Sequence, residues 1–203
     1  MIAVVDYNMG NLRSVSKALE HLGAEVRVSA EARDIARCDK LVLPGVGAFK
    51  DAIWELKARG LFDPIREHIR TGKPFFGICL GLQLLFLHSD ENPDAEGLGI
   101  FPGRVRRFES GNVKIPHMGW NEVAIRKPVP MLDGVPDGSS FYFVHSYYAV
   151  PDDPELVGGV CEYGSDSVTA ILAHDNVFAT QFHPEKSQEM GLRILKNFIE
   201  KHH

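Results

Sequence analysis

Apolar positions recur in two alternating rhythms up to about residue 88, one of them continuous over a few residues and one helical. Ile2 to Val5 is a short unbroken apolar run of the kind buried on both faces of a sheet, and Leu12, Val15, Leu19 and Leu22 then mark one helix face that stops at Gly23. Ala24 to Val28 alternates like a second strand, and Leu41-Val42-Leu43 forms a third, ending in Pro44-Gly45-Val46-Gly47. Phe49, Ile53 and Leu56 give the following helix its apolar face, and Gly60 ends it. Asp63 as cap and Pro64 in the first turn open a short helix running to Thr71-Gly72. An apolar run from Pro74 ends in Gly77-Ile78, after which Leu82, Leu85 and Phe86 return to helical spacing. Four strands alternating with helices predict an α/β fold: a doubly wound, mostly parallel sheet flanked by helices, with its site in the loops at the carboxyl ends of the strands.

After the polar loop Ser89 to Gly97 the pattern changes. Short alternating runs, Arg104 to Phe108, Phe141 to Val144 and Val177 to Phe182, are separated by Gly, Pro and Asp turns, which predicts a strand-rich second half. His174-Asp175-Asn176 reads as a turn between two strands, and a closing helix is expected from about Gln188 with Leu192, Leu195 and Ile199 inward. With 203 residues and no interdomain linker, one domain spanning 1–203 is expected.

Composition narrows the partners. A net charge of −5 without long like-charge runs leaves no basic footprint for nucleic acid and no polybasic membrane patch. Nowhere do about 18 apolar residues run together as a membrane span requires, so a cytoplasmic location is expected. Cys38, Cys79 and Cys161 have no spacing for a disulfide framework or a zinc site. Cys38 and Cys161 are expected in the core, and the trailing His202 and His203 are assigned no metal.

Cys79 differs from the other two because it stands where a strand turns into a helix. A nucleophile held on such a turn needs small residues two before and two after it, so that strand and helix can pass closely, and Gly77 and Gly81 occupy those places. The first free N–H groups of the helix would favour the thiolate. Val177 to Phe182 runs into His183-Pro184-Glu185, where proline keeps the preceding residue extended and places His183 and Glu185 on one side. Nucleophile, base and orienter are then all present. Other loops stay open between two readings. Pro44-Gly45-Val46-Gly47 lacks the Lys-Ser/Thr of a phosphate loop and could bare its N–H groups to an oxyanion or merely turn the chain. Tyr7 to Asn11 could carry function at a strand end or simply cap a helix.

Gly77-Ile78-Cys79-Leu80-Gly81 and His183-Pro184-Glu185 resemble the triad motifs of class I glutamine amidotransferases, a flavodoxin-like family, and the resemblance covers the entire chain. Four further stretches, Pro44 to Phe49, Pro116 to Asn121, Tyr142 to Tyr148 and Gln181 to Ser187, look like the glutaminase-subunit family of imidazole glycerol phosphate synthases. The resemblance implies that Cys79 attacks the side-chain amide of L-glutamine, that His183 protonates departing ammonia and then activates water, and that Glu185 holds His183. It implies an oxyanion site at the N–H of Leu80 and an N–H of the Gly45-Val46-Gly47 turn after it reorients. Gly45, Gln83 and Glu91 would line the glutamine pocket and the Ser146-Tyr147 backbone would hold the substrate carboxylate. Helix-surface polarity for Gln83 and plain solvation for Glu91 are the competing readings. The partner implied is a cyclase of (β/α)8 barrel fold that receives ammonia and makes imidazole glycerol phosphate and an aminoimidazole carboxamide ribonucleotide, with Asn8, Trp120, Tyr142 and Lys186 on the docking face. No cofactor or metal is implied. Rival readings are the glutaminase subunit of a pyridoxal phosphate, anthranilate or other synthase, a partner-independent cysteine hydrolase, and an inactive interaction module.

Overall fold

The computed structural model describes residues 1–109 and 113–201; His202 and His203 lie outside the described residues. The first half runs β1 (Ile2–Val5), α1 (Leu12–His21), β2 (Val26–Ser29), α2 (Ala32–Arg37), β3 (Lys40–Gly45), α3 (Phe49–Ala58), α4 (Phe62–Arg70), β4 (Phe75–Cys79), α5 (Leu80–Gln83) and β5 (Phe86–Ser89). The second half supplies β6 (Phe101–Arg107), β7 (His117–Glu122), β8 (Ala124–Ile125), β9 (Ser140–His145), β10 (Tyr147–Pro151), β11 (Val157–Tyr163), β12 (Asp166–His174), β13 (Val177–Thr180) and the closing α6 (Gln188–Glu200).

Eight strands form the main sheet in the order β2-β1-β3-β4-β13-β12-β11-β8. The pairings from β2 to β13 are parallel, and those beyond β13 are antiparallel. Both faces are covered, which is why β1 reads as one apolar run: Ala3 and Val5 join Ile35, Leu56 and Ile65 from α2, α3 and α4 on one side. Ile2 and Val4 join Val15 and Leu19 of α1 and Ile194, Leu195 and Phe198 of α6 on the other. Each such buried aliphatic side chain contributes about 1.5–3 kcal/mol relative to exposure. Two smaller layers, β10-β6-β5 and the antiparallel pair β7-β9, draw all their strands but β5 from the strand-rich second half. Lys40, buried on β3, ties α6 down by donating to the carbonyls of Phe198, Ile199 and Lys201, where the helix end is negative.

The structure departs from the sequence expectation at several places. The helix after Cys79 is one turn long and stops at Gln83, and Phe86 begins a strand. The carbonyls of Leu84 and Leu85 accept from Leu98 and Ile100 N–H, so the acceptors a longer helix would need are taken. Asp63 lies inside the first turn of α4, with Leu61 at the cap position. The six-residue α2, unforeseen in the sequence, fits between Glu31 and Cys38. On α6 the inward face is centred on Ile194, Leu195 and Phe198, and Leu192 and Ile199 flank it half-buried.

Candidate active site

Strand order decides where chemistry can gather. β4 lies between β3 and β13, all parallel, so the turn after Gly45, Cys79 itself and the segment leading to His183 emerge side by side. Gly45 is the direct partner of Cys79, and Thr180 that of Ile78.

Cys79 caps α5 with φ 55° and ψ −105°, a left-handed conformation that a non-glycine residue adopts only under constraint. The glycines around it show the constraint. A Cβ on Gly77 would stand 2.8 Å from Gly81 O, and one on Gly81 would stand 2.0 Å from Leu43 O on β3. A Cβ on Gly45 would meet the Tyr7 hydroxyl at 2.4 Å, and that hydroxyl donates to Pro44 O at 2.9 Å. Cys79 is 6% exposed, and its sulfur takes a hydrogen bond from Gln181 Nε2 at 3.6 Å.

His183 and Glu185 pair as the intervening proline requires: Nδ1 and Oε1 are 2.9 Å apart, with both side chains buried. Asn11 Nδ2 donates to the same Oε1 at 3.5 Å, which gives the Tyr7 to Asn11 loop a role at the site. Ser187 fixes the turn itself, since its Oγ donates to His183 O at 2.6 Å and accepts from Tyr142 N at 3.0 Å. Gly191 lets α6 approach this turn, as a Cβ there would fall 2.0 Å from Pro184 O. His183 Nε2 is buried and has no hydrogen-bond partner at ordinary distance. Burial opposes the imidazolium, but the Cys79 thiolate and the Glu185 carboxylate outweigh it and push His183 up to about 10.

A cavity of about 380 Å³ opens over the sulfur. It is lined by Val46, Gly47, Cys79, Leu80, Gln83, Glu91, Ser146 and Tyr147 among others, so eight residues singled out from the sequence meet there. Gln83 is buried and donates to Tyr147 O at 2.8 Å and to Gln181 Oε1 at 3.1 Å, so surface polarity does not explain it. Glu91 is not merely solvated either: its carboxylate accepts Phe49 N–H at 2.8 Å and holds the start of α3. Gly47 has φ 98°, and Val46 is exposed. Beyond the cavity, Trp120 and Tyr142 are cross-strand partners with ring centroids 6.2 Å apart, and Lys186 Nζ stands 5.9 Å over the Tyr142 ring. Asn8 is exposed on the loop after β1 at φ 70°.

A family model described as glutamine amidotransferase class-I matches residues 3–202. The chain belongs to the class-I glutamine amidotransferase family. Within that family it is 54% identical, across 98% of both chains, to the imidazole glycerol phosphate synthase subunit HisH of Syntrophotalea carbinolica. It is 51% identical, again over 98% of each, to the HisH subunit of Caldanaerobacter subterraneus subsp. tengcongensis. A solved structure titled as a glutamine amidotransferase superposes with a TM-score of 0.73 at 22% identity, covering 98% of each chain, and shares the amidotransferase fold. Asn11, Gln181 and Ser187 are the residues of this candidate site that sequence reasoning left without an individual role; the stretch Gln181 to Ser187 and the strand-end position of the Tyr7 to Asn11 loop were the signals.

Proposed function

We propose that the chain is the glutaminase subunit of an imidazole glycerol phosphate synthase, acting as one catalytic domain over residues 1–203 in the cytoplasm. The observation that carries this is the meeting of Cys79, His183 and Glu185 at the ends of adjacent strands, in a chain about half identical to HisH subunits along its length. The Cys79 thiolate attacks the Cδ of L-glutamine, forming a thioester as the C–N bond breaks. His183 gives its proton to the departing ammonia, then takes one from the water that releases glutamate. Glu185 keeps Nδ1 protonated throughout, so that Nε2 is the nitrogen that exchanges protons. Leu80 is the first residue of α5, so its N–H has no acceptor within the helix and is available to the oxyanion. The second donor is an N–H of the Val46-Gly47 turn, a role supported by the left-handed φ of Gly47 beside the cavity. Gln83 and Glu91 line the glutamine pocket, Gly45 backs it as the strand partner of Cys79 and is not itself in the cavity lining, and the Ser146-Tyr147 backbone takes the substrate carboxylate.

Ammonia passes to a partner, a cyclase subunit of (β/α)8 fold that carries out the acceptor chemistry. Trp120, Tyr142 and Lys186, which cluster at the surface, and Asn8 form the docking face; an exposed tryptophan beside a tyrosine is a good interface anchor. In the assembled complex, Cys79→Ala is expected to abolish synthesis from glutamine and leave synthesis from added ammonium salt at alkaline pH. Trp120→Ala should weaken assembly by about thirtyfold or more, so that glutamate forms faster than imidazole product. Loss of the ammonium-dependent reaction in an assembled Cys79→Ala complex would refute this division of labour.

A further inference from the structure

Two buried histidines have no part in the triad. His117 on β7 and His145 on β9 are direct cross-strand partners, 3% and 6% exposed, and His117 Nδ1 lies 3.1 Å from His145 Nε2. Nitrogens that close share one proton, and the flanking contacts decide which ring gives it. His145 Nδ1 is 2.9 Å from the Tyr147 carbonyl oxygen, which only accepts, so Nδ1 carries a proton. Burial disfavours the charged form of both rings, holding His117 down to about 4 and His145 down to about 3. His145 Nε2 is therefore bare and accepts from His117 Nδ1–H. His117 Nε2 is bare in its turn and accepts from Asn121 Nδ2 at 3.3 Å, while the second Asn121 hydrogen goes to Glu162 O at 3.0 Å. The hydrogen bonds run one way, from Asn121 through both rings to Tyr147 O.

That carbonyl is where the cavity begins. It also accepts from Gln83, which donates to Gln181, which donates to Cys79 Sγ. At the other end, β7 exposes Met118 and Trp120. The His117 ring is stacked between Phe143 and Tyr163, with centroids 4.8 and 3.9 Å away, so it is held against swinging out of the chain.

We propose that His117 and His145 are positioning residues which, by fixing the Tyr147 carbonyl and through it Gln83, set the glutamine-binding wall of the cavity from the β7 side. This rests on the glutaminase reading given above. The test compares two alkylators of Cys79 in the full chain: an electrophilic glutamine analogue, which must seat its α-carboxylate, and iodoacetamide, which need not. His117→Phe keeps the stacking and removes the donor. It is expected to slow labelling by the analogue about tenfold, the equivalent of about 1.4 kcal/mol for one lost hydrogen bond, and to leave the iodoacetamide rate alone. His117→Asn, whose Nδ2 can stand where the imidazole Nδ1–H stood, should restore most of the difference. Equal slowing of both reagents, or of neither, overturns the proposal, whereas a wild-type chain that the analogue fails to label overturns the glutaminase reading instead. Should His117→Phe not fold, ¹⁵N spectra of the wild-type imidazoles decide: both rings are expected as Nδ1–H tautomers, and an Nε2–H His145 overturns the proposal.

Discussion

Replacing Gly81 by alanine tests one of the tightest approaches among the described residues. The added carbon would stand 2.0 Å from Leu43 O and 3.1 Å from Leu43 C, against backbone of the strand beside β4. Relief to an ordinary carbon–oxygen contact of about 3.3 Å requires α5 and β3 to part by more than about 1 Å. The obstacle is a carbonyl in the sheet, not the end of a flexible side chain, so the move is shared by Cys79 and by the Gly45 turn paired with it. Overpacking of this kind costs about 1–3 kcal/mol, which for a chain of this size lowers Tm by roughly 2–12 °C. A displacement of about 1 Å at reacting groups also costs about a hundredfold in rate. Gly60→Ala is the control: Gly60 has φ 66° but nothing within 4 Å, so it should cost about 1–2 kcal/mol of backbone strain and no activity per folded molecule. Thermal melting together with glutamate release reads both effects. A Gly81→Ala protein that melts and turns over like wild type would refute the packing argument, and equal loss of activity in the control would show that activity merely follows stability.

The remaining predictions concern protonation. Near neutral pH an electrophilic glutamine analogue should label Cys79 and spare Cys38 and Cys161, whose thiols burial pushes up to about 11 and about 12; peptide mapping that finds all three modified would remove the assignment of the nucleophile. Because His183 is raised from about 6.5 unfolded to about 10 folded, the stability it contributes is complete below about pH 6.5 and is lost as pH rises through about 10. Cys79→Ala removes the leading cause of that rise, so urea unfolding across this window should show a shallower decline for the variant, and an identical decline would contradict the coupling.

Local pattern made the geometry around Cys79, His183 and Glu185 legible. Ile2–Val5 and the elbow at Cys79 follow from run length and from two glycines at fixed offsets, and the His183–Glu185 pairing follows from one proline. What pattern missed is of two kinds. Leu84, Leu85 and Phe86 are apolar and fully buried, so periodicity cannot distinguish a continuing helix from the start of β5, and the distant 98–100 segment decides it. In α2 a single buried apolar residue, Ile35, is accompanied by buried Asp34, which is too little for a face to show. The supporting polar groups were hidden for another reason: Asn11 meets Glu185 across 174 positions and Gln181 meets Cys79 across 102, separations at which no spacing rule operates. For Gln83 and Glu91, which composition alone left open to a surface reading beside the pocket role the resemblance implied, the fold supplies a buried or backbone partner for each.

The place of β13 in the sheet also bears on how the protein is made. About a hundred residues of synthesis separate Cys79 from His183, yet the strand that delivers the histidine must insert between β4 and β12 in the interior of the sheet. Until then β4 is a raw edge carrying Phe75 and Phe76, with its backbone unpaired on one side. A nascent chain on the ribosome would hold its nucleophile without a base, and so would any product truncated before residue 177. Glutamine is thereby protected from incomplete chains, while those same chains carry a strong tendency to pair with one another. Chaperone demand should accordingly fall on the interval between the emergence of β4 and that of β13.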